Sequence, residues 1–241
     1  MEGIEITGGS VSSILTERGE IRTPVVVCAA GAWSSKVGRM VGLRLPQRKV
    51  RATVARTFPV PPFTRTNVWG GGVAVRQRND GSLMIAGDGS ADYDVTLESF
   101  RNLRMFLPAY FRDRRGIKLH VGAELLKDVS RSMPWSGSRK HPFAHTVGVE
   151  PKPNLGKVKS SLESAVRLYP HLEGKLRVQR AWAGYIDATP DRVPVLGEVT
   201  DVKGFLFATG FSGHGFSLGP GVGAVMSELI LDGRISVDVS G

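Results

Sequence analysis

The 241-residue chain has a single cysteine, Cys28, so it can form neither an intramolecular disulfide nor a zinc site of paired cysteines. A lone cysteine fits a reducing compartment, and a cytoplasmic location is expected. The N-terminal stretch MEGIEITGGS lacks the basic n-region and apolar h-region of a secretory signal. A long apolar run is missing too. The longest uncharged stretch, 204–227, has membrane-spanning length but holds seven glycines, Pro220 and His214, so no transmembrane segment is expected. Histidine is scarce, and His120, His141, His145 and His171 show no ligand pattern. His141 and His145 are four apart but have Pro142 between them, so no metal site is expected. The 30 glycines have no three-residue period, which excludes collagen.

What is present is a composition able to bury a core, with 41% apolar and 22% charged residues. The net charge of +10 is unevenly spread. Residues 1–46 carry 5 basic and 4 acidic side chains, 47–180 carry 24 and 11, and 181–241 carry 3 and 7. The break near 180 marks the middle as a separate module. Its dense basic spots are Arg48, Lys49, Arg51 and Arg56, then Arg112, Arg114, Arg115 and Lys118. No nucleic-acid-binding signature accompanies them, so no nucleic-acid partner is expected. A solvated basic face and a field that attracts an anionic small substrate are both compatible with the pattern.

Residues 3–6 and 11–16 are short β-type runs around Gly8-Gly9. Residues 25–30 form an apolar run suited to a strand covered on both faces, ended by Gly31 and followed by a helix with Val37, Met40 and Val41 on one face. In the middle, Asn79-Asp80-Gly81 between alternating runs predicts a hairpin. Helices are predicted from 97 up to Pro108 and over 160–169. Strands with two helices in mixed order argue for an antiparallel α+β module. After 180, residues 205–210 read as a buried strand, and Pro220 is expected to open a helix closed by Asp232-Gly233.

Two strand–glycine–helix junctions have chemical potential: Ala29-Ala30-Gly31-Ala32-Trp33-Ser34 and Gly210-Phe211-Ser212-Gly213-His214-Gly215-Phe216. Glycine lets backbone approach a ligand, and a helix N-terminus attracts negative charge. A flat electron-accepting ring would suit the second loop. His214, flanked by glycines, is compatible with filling the loop or facing such a ring. Asp187 and Asp191 are carboxylates that could act as bases, although Asp191 after Pro190 suits turn ordering better. Trp33 and Trp182 read as packing residues.

Trp182-Ala183-Gly184, Thr189-Pro190-Asp191, Pro194-Val195-Leu196-Gly197 and the 208–216 loop closely resemble the C-terminal part of the D-amino-acid-oxidase-like family of FAD-dependent oxidoreductases. That family includes glycine and sarcosine oxidases, D-amino-acid dehydrogenases and opine oxidase subunits. Residues 26–34 resemble the same family's strand–turn segment. The resemblance implies an α/β plus α+β architecture: an incomplete, Rossmann-like FAD-binding domain (1–46 and 181–241) interrupted by an antiparallel-sheet substrate domain (47–180). It implies that Ala30 and Gly31 lie near the adenosine half of FAD and Gly184 near the flavin. Gly210, Gly213, His214, Gly215 and Phe216 would then wrap the ring. The implied reaction is oxidation of the C–N bond of an amino acid, D-amino acids included, or a secondary amine.

The sequence departs from the family in four places. No cysteine stands near Gly184, so non-covalent FAD is expected. Ile186 occupies the place of a carboxylate-binding arginine of glycine oxidase relatives. A lysine found near Ser217 in monomeric sarcosine oxidases is absent. Arg76 and Arg78 on the hairpin are the alternative carboxylate anchors, and no catalytic base stands out. The family's opening G-x-G-x-x-G unit does not occur, which implies a further N-terminal segment, a second subunit, or a relative unable to bind FAD alone.

Overall fold

In the computed structural model, residues 1–87, 91–113, 117–122, 125–126, 143 and 150–238 are described. Arg114, Arg115, His141 and His145 lie outside them. The chain opens with an antiparallel meander of β1 (Gly3–Thr7), β2 (Ser10–Thr16) and β3 (Gly19–Arg22). Gly8 and Gly9 both take positive φ, as a two-residue hairpin turn with the twist of its strands requires. Then come β4 (Val26–Cys28), a short 3-10 turn (Gly31–Trp33) and α1 (Ser34–Met40). Val26 and Cys28 are buried, but Val27 is 39% exposed, so β4 is covered on one face and not on both.

The chain then builds a seven-stranded sheet from β5 (Arg48–Thr57), β6 (Val68–Gly70), β7 (Val73–Gln77), β8 (Leu83–Gly87), β9 (Ala91–Asp94), β10 (Ile117–His120) and β11 (Val178–Ala188). All pairs are antiparallel except β9 with β10. The hairpin forms at the expected turn, where Asp80 Oδ1 accepts from the Ser82 N–H at 3.0 Å. The helix expected up to Pro108 breaks at Asn102 instead, into α2 (Leu97–Arg101) and α3 (Leu103–Asp113), and Pro108 lies inside α3. One proline forfeits a single intrahelical bond, which neighbouring turns can carry. The last helix of this region, α4 (Leu155–Leu168), starts earlier than its apolar stripe, because the Asn154 side chain caps it by accepting from the Lys157 N–H. Below α4 lies a core of Val73, Val75, Leu83, Ile85, Ala165 and Leu172. Strand β11 runs unbroken through position 180, so the charge step falls within a strand of the large sheet.

The chain ends on β12 (Val195–Glu198), β13 (Phe205–Thr209) and α5 (Gly215–Asp232). Strand β13 is central, antiparallel to β12 and parallel to β4. Its five residues are all buried, and Phe205 and Phe207 join Ile4, Val11, Val26, Cys28 and Val37 in one core. Helix α5 starts five residues before Pro220, because Pro220 falls close enough to the helix start that one lost bond does not prevent the turn. Gly233, at φ +66°, closes it in the left-handed conformation. Among the described residues, no helix is long and apolar enough to cross a membrane.

Candidate functional site

Strands β4 and β13 run side by side in parallel, with Phe205 opposite Val26 and Phe207 opposite Cys28. Their carboxyl ends therefore deliver Ala29-Ala30-Gly31 and Thr209-Gly210 to the same edge of the molecule. Open α/β sheets bind ligands at this end of their strands. Polar bonds lock the two loops together. Gln47 Nε2 donates to the Gly31 carbonyl at 2.8 Å, and Gln47 Oε1 accepts from the Ser35 N–H at 3.0 Å. The buried Thr209 hydroxyl lies 2.8 Å from Ser34 Oγ and 3.1 Å from Asp187 Oδ2.

Asp187 fastens the second loop to the large sheet. Its Oδ2 accepts from the Gly210 N–H at 2.6 Å, and its backbone carbonyl accepts from the Ser212 N–H at 3.0 Å. Gly210 has φ +81°, and a Cβ there would stand 2.7 Å from Thr189 Cγ2, so both conformation and space demand glycine. Ser212 (φ +51°) and Gly213 (φ +98°) continue the left-handed turn into α5. The N–H groups of Gly215, Phe216 and Ser217 belong to the first helical turn, which has no intrahelical acceptor for them and carries the positive end of the dipole. His214 Nδ1 sits 3.3 Å from the Phe211 carbonyl, so the ring folds back on its own loop, and Phe216 is fully exposed. Asp191 orders its turn by accepting from the Val193 N–H at 3.0 Å.

The floor beside these loops is one face of the large sheet. Residues opposite each other in a ladder share a face, and successive residues alternate. The register places Gly184 opposite Ala52, Ile186 opposite Val50, and Ala188 opposite Arg48, all on the face away from α4. Gly213 meets this floor, since a Cβ on it would lie 3.7 Å from Ile186 Cδ1. A Cβ on Gly184 would meet nothing within 4 Å. At this end of the floor, the Arg48 guanidinium lies 4.6 Å from the Phe106 ring of α3 and 5.6 Å from the Tyr93 ring of β9. Gly213 of the loop thus meets Ile186, Gly184 lies two residues along the same strand face, and His214, Gly215 and the exposed Phe216 lead from there into α5; this angle between loop and floor is the trough, with Ala30 and Gly31 linked to the loop through Gln47 and Thr209.

Arg76 and Arg78 stand elsewhere, beside a cavity of about 430 Å³ lined also by Gln77, Asn79, Asp80 and Met84 at the hairpin end of the sheet. Trp33 packs edge-on against Tyr185, and Trp182 lies under Arg180. Sequence reasoning passed over Gln47, and it named Ser34, Thr209 and Arg48 only as members of a glycine junction, the 208–216 loop and a basic run. Thr209 did carry a signal, as a polar end to an otherwise apolar strand.

Glycine turns at the carboxyl ends of parallel strands, with a helix that starts directly after the second of them, define an α/β unit joined to a large antiparallel sheet. The chain belongs to the FAD dependent oxidoreductase family, whose model matches residues 1–155 and 141–229. Mitochondrial sarcosine dehydrogenase of Mus musculus is 26% identical over 230 residues, which are 95% of this chain and 20% of that protein. Glycine oxidase of Bacillus subtilis (strain 168) is 33% identical over 86 residues, 36% of this chain and 23% of the oxidase. The solved structure of an L-amino acid deaminase from Proteus myxofaciens, in complex with anthranilate, superposes with a TM-score of 0.87 at 25% identity, covering 98% of this chain and 53% of that one. The expected flavin-oxidoreductase fold is thus present, and the chain spans about a fifth of the dehydrogenase and half of the deaminase.

Proposed function

We propose that this chain supplies the substrate floor and the ring-binding loop of an FAD-dependent oxidoreductase that oxidises the C–N bond of an amino acid or secondary amine. The observation that carries the reading is the trough itself, where Gly213, just ahead of the α5 N-terminus, meets Ile186 beside the open Gly184. The residues fit the ring side of FAD: Gly184 and Gly213 leave space where side chains would obstruct a planar group, and the first turn of α5 offers N–H donors to its polar edge. When bound, FAD supplies the hydride acceptor. The chain's own residues hold the substrate over the floor, exclude water from one side and stabilise negative charge near the helix start. Ala30 and Gly31 would face the adenosine half.

FAD is held without a covalent bond in this reading. Cys28, the chain's cysteine, lies in β4 with its thiol pushed up by burial, an effect that hydrogen bonds from Ser34 and Ala30 only partly offset. It is thus both inaccessible and protonated. A cytoplasmic location is part of the proposal, and a chain with a single, buried cysteine is compatible with it. Substrates of the D-amino-acid class are part of the proposal, alongside glycine and sarcosine types.

A second reading concerns how FAD is retained. The sequence has no G-x-G-x-x-G cradle for the diphosphate, and Leu218 and Leu231 of α5 and Val27 of β4 are exposed (43%, 78% and 39%). These features favour a complementing segment, on this chain or another. Purified chain titrated with FAD decides between the readings. Quenched FAD fluorescence and a bound flavin spectrum, bleached anaerobically by an amino acid or amine, support the first. FAD left free until a complementing segment is added supports the second. FAD left free even then rejects both.

A further inference from the structure

We propose that this chain has a second ligand site, a cationic cavity that takes a phosphate monoester and is separate from the trough. The cavity, of about 360 Å³, lies between α1 with the turn that follows it and the break at Asn102 that divides α2 from α3. Small organic ligands fit a volume of this order. Arg39, Arg44 and Arg101 line it from three different segments, and among the described residues no carboxylate does. The guanidinium groups of Arg44 and Arg101 have neither an ion-pair nor a hydrogen-bond partner among the described residues, and both side chains are exposed. Like charges gathered without a counter-charge repel one another, so an anion of more than one charge is the group this cluster lacks.

The local fold removes the acceptors that would compete for these arginines. Helix α1 ends on Gly42, at φ +80°, where the Gly38 carbonyl accepts from the Leu43 N–H at 2.9 Å and the Arg39 carbonyl from the Gly42 N–H at 3.2 Å. The negative end of that helix is thus satisfied by its own chain. Ser35, further back along α1, has its N–H taken by Gln47. On the opposite wall the Asn102 carbonyl accepts from the N–H groups of Met105 and Phe106, so Asn102 opens the eleven-residue α3 and brings the positive end of its dipole to the cavity. A guanidinium binds two oxygens of a phosphate in its plane, and a phosphate group has oxygens enough for two such forks. Leu43 and Leu45 add an apolar wall, which suits the organic part of an ester. Among the described residues, none of 29–34 or 209–216 lines the cavity, so it stands off both glycine junctions.

Phenyl phosphate and phenyl sulfate share a shape and differ by one charge at about pH 8, where the phosphate ester is a dianion. Calorimetric titration of the whole chain at constant ionic strength is expected to show saturable binding of phenyl phosphate, at least tenfold tighter than phenyl sulfate. The double variant Arg44→Gln, Arg101→Gln loses that preference by weakening phenyl phosphate at least tenfold. Arg76→Gln, at the hairpin cavity, leaves both affinities unchanged. Inorganic phosphate binds severalfold more weakly than the ester, since it leaves Leu43 and Leu45 uncovered. Melting temperatures establish that each variant is folded. Absence of saturable binding, a preference that survives the double variant, an equal loss in Arg76→Gln, or equal affinity for inorganic phosphate overturns the proposal. Displacement of phenyl phosphate by FAD also overturns it, because the cavity would then belong to the flavin site. Phenyl phosphate binding that is the same with and without FAD supports a separate site, and it does so even where FAD itself fails to bind and the flavin reading falls.

Discussion

The two faces of the large sheet are made from alternate residues of the same strands and have opposite characters. Under α4 lie Val73, Val75, Leu83 and Ile85, each no more than 2% exposed, together with a polar knot centred on Asp92. Asp92 is fully buried and reaches His120 Nε2 at 2.8 Å, Lys157 Nζ at 3.1 Å and Asn154 Nδ2 at 3.1 Å. Across the pleat, Ala52, Val54, Trp182 and Ile186 are only half-buried, and Gly184 is exposed. A single register therefore assigns one set of positions to holding the domain together and the other to meeting a ligand. Substitutions on the first face should change stability, and those on the second should change binding.

The largest effect is expected at Asp92. Burial alone would raise its carboxyl, but hydrogen bonds from His120, Lys157 and Asn154 outweigh burial and hold it below the ordinary carboxylate range. Its folded value is depressed, so its contribution is complete above the unfolded value of ~4 and is lost as pH falls through the native value. Asp92→Asn leaves Lys157 buried without its counter-charge and should cost about 3–5 kcal/mol at neutral pH. The variant should also lose the acid-dependent part of the melting curve that Asp92 contributes. An unchanged acid profile would rule out this carboxylate as the source. Leu83→Ala on the same face should cost about 2–5 kcal/mol through the cavity it opens, read from denaturant midpoints. Gly210→Ala, at the junction of the faces, combines a left-handed φ with a 2.7 Å approach to Thr189 and should cost about 1–3 kcal/mol. Gly184→Val should change stability by no more than about 0.5 kcal/mol, because its Cβ meets open space. Its effect should appear instead as at least tenfold weaker binding of FAD. A Gly184→Val chain that binds normally would move the site off this face.

The division between faces was only partly legible in the sequence. The hairpin at Asn79-Asp80-Gly81 and the glycine turn after β4 are local features, and turn chemistry alone places them. The start of α4 depends on the Asn154 cap, which lies outside the apolar stripe from which the helix is read, and α5 starts at Gly215 with no side-chain cap to mark it. Arg48 looked like one member of a basic run with Lys49 and Arg51. Only the pairing of β5 with β11, some 130 residues later in the chain, sends Arg48 to the floor and Lys49 to the other face, over Trp33. Asp187, like Asp191, read in the sequence as a carboxylate that could act as a base. Its partners, the N–H of Gly210 and the hydroxyl of Thr209, show it spent on holding a loop.

Because Asp187 is a residue of β11 and grips Gly210 directly, the rim of the trough and its floor form one mechanical piece. The Gly210–Gly215 loop cannot swing away as a lid without dragging the sheet with it.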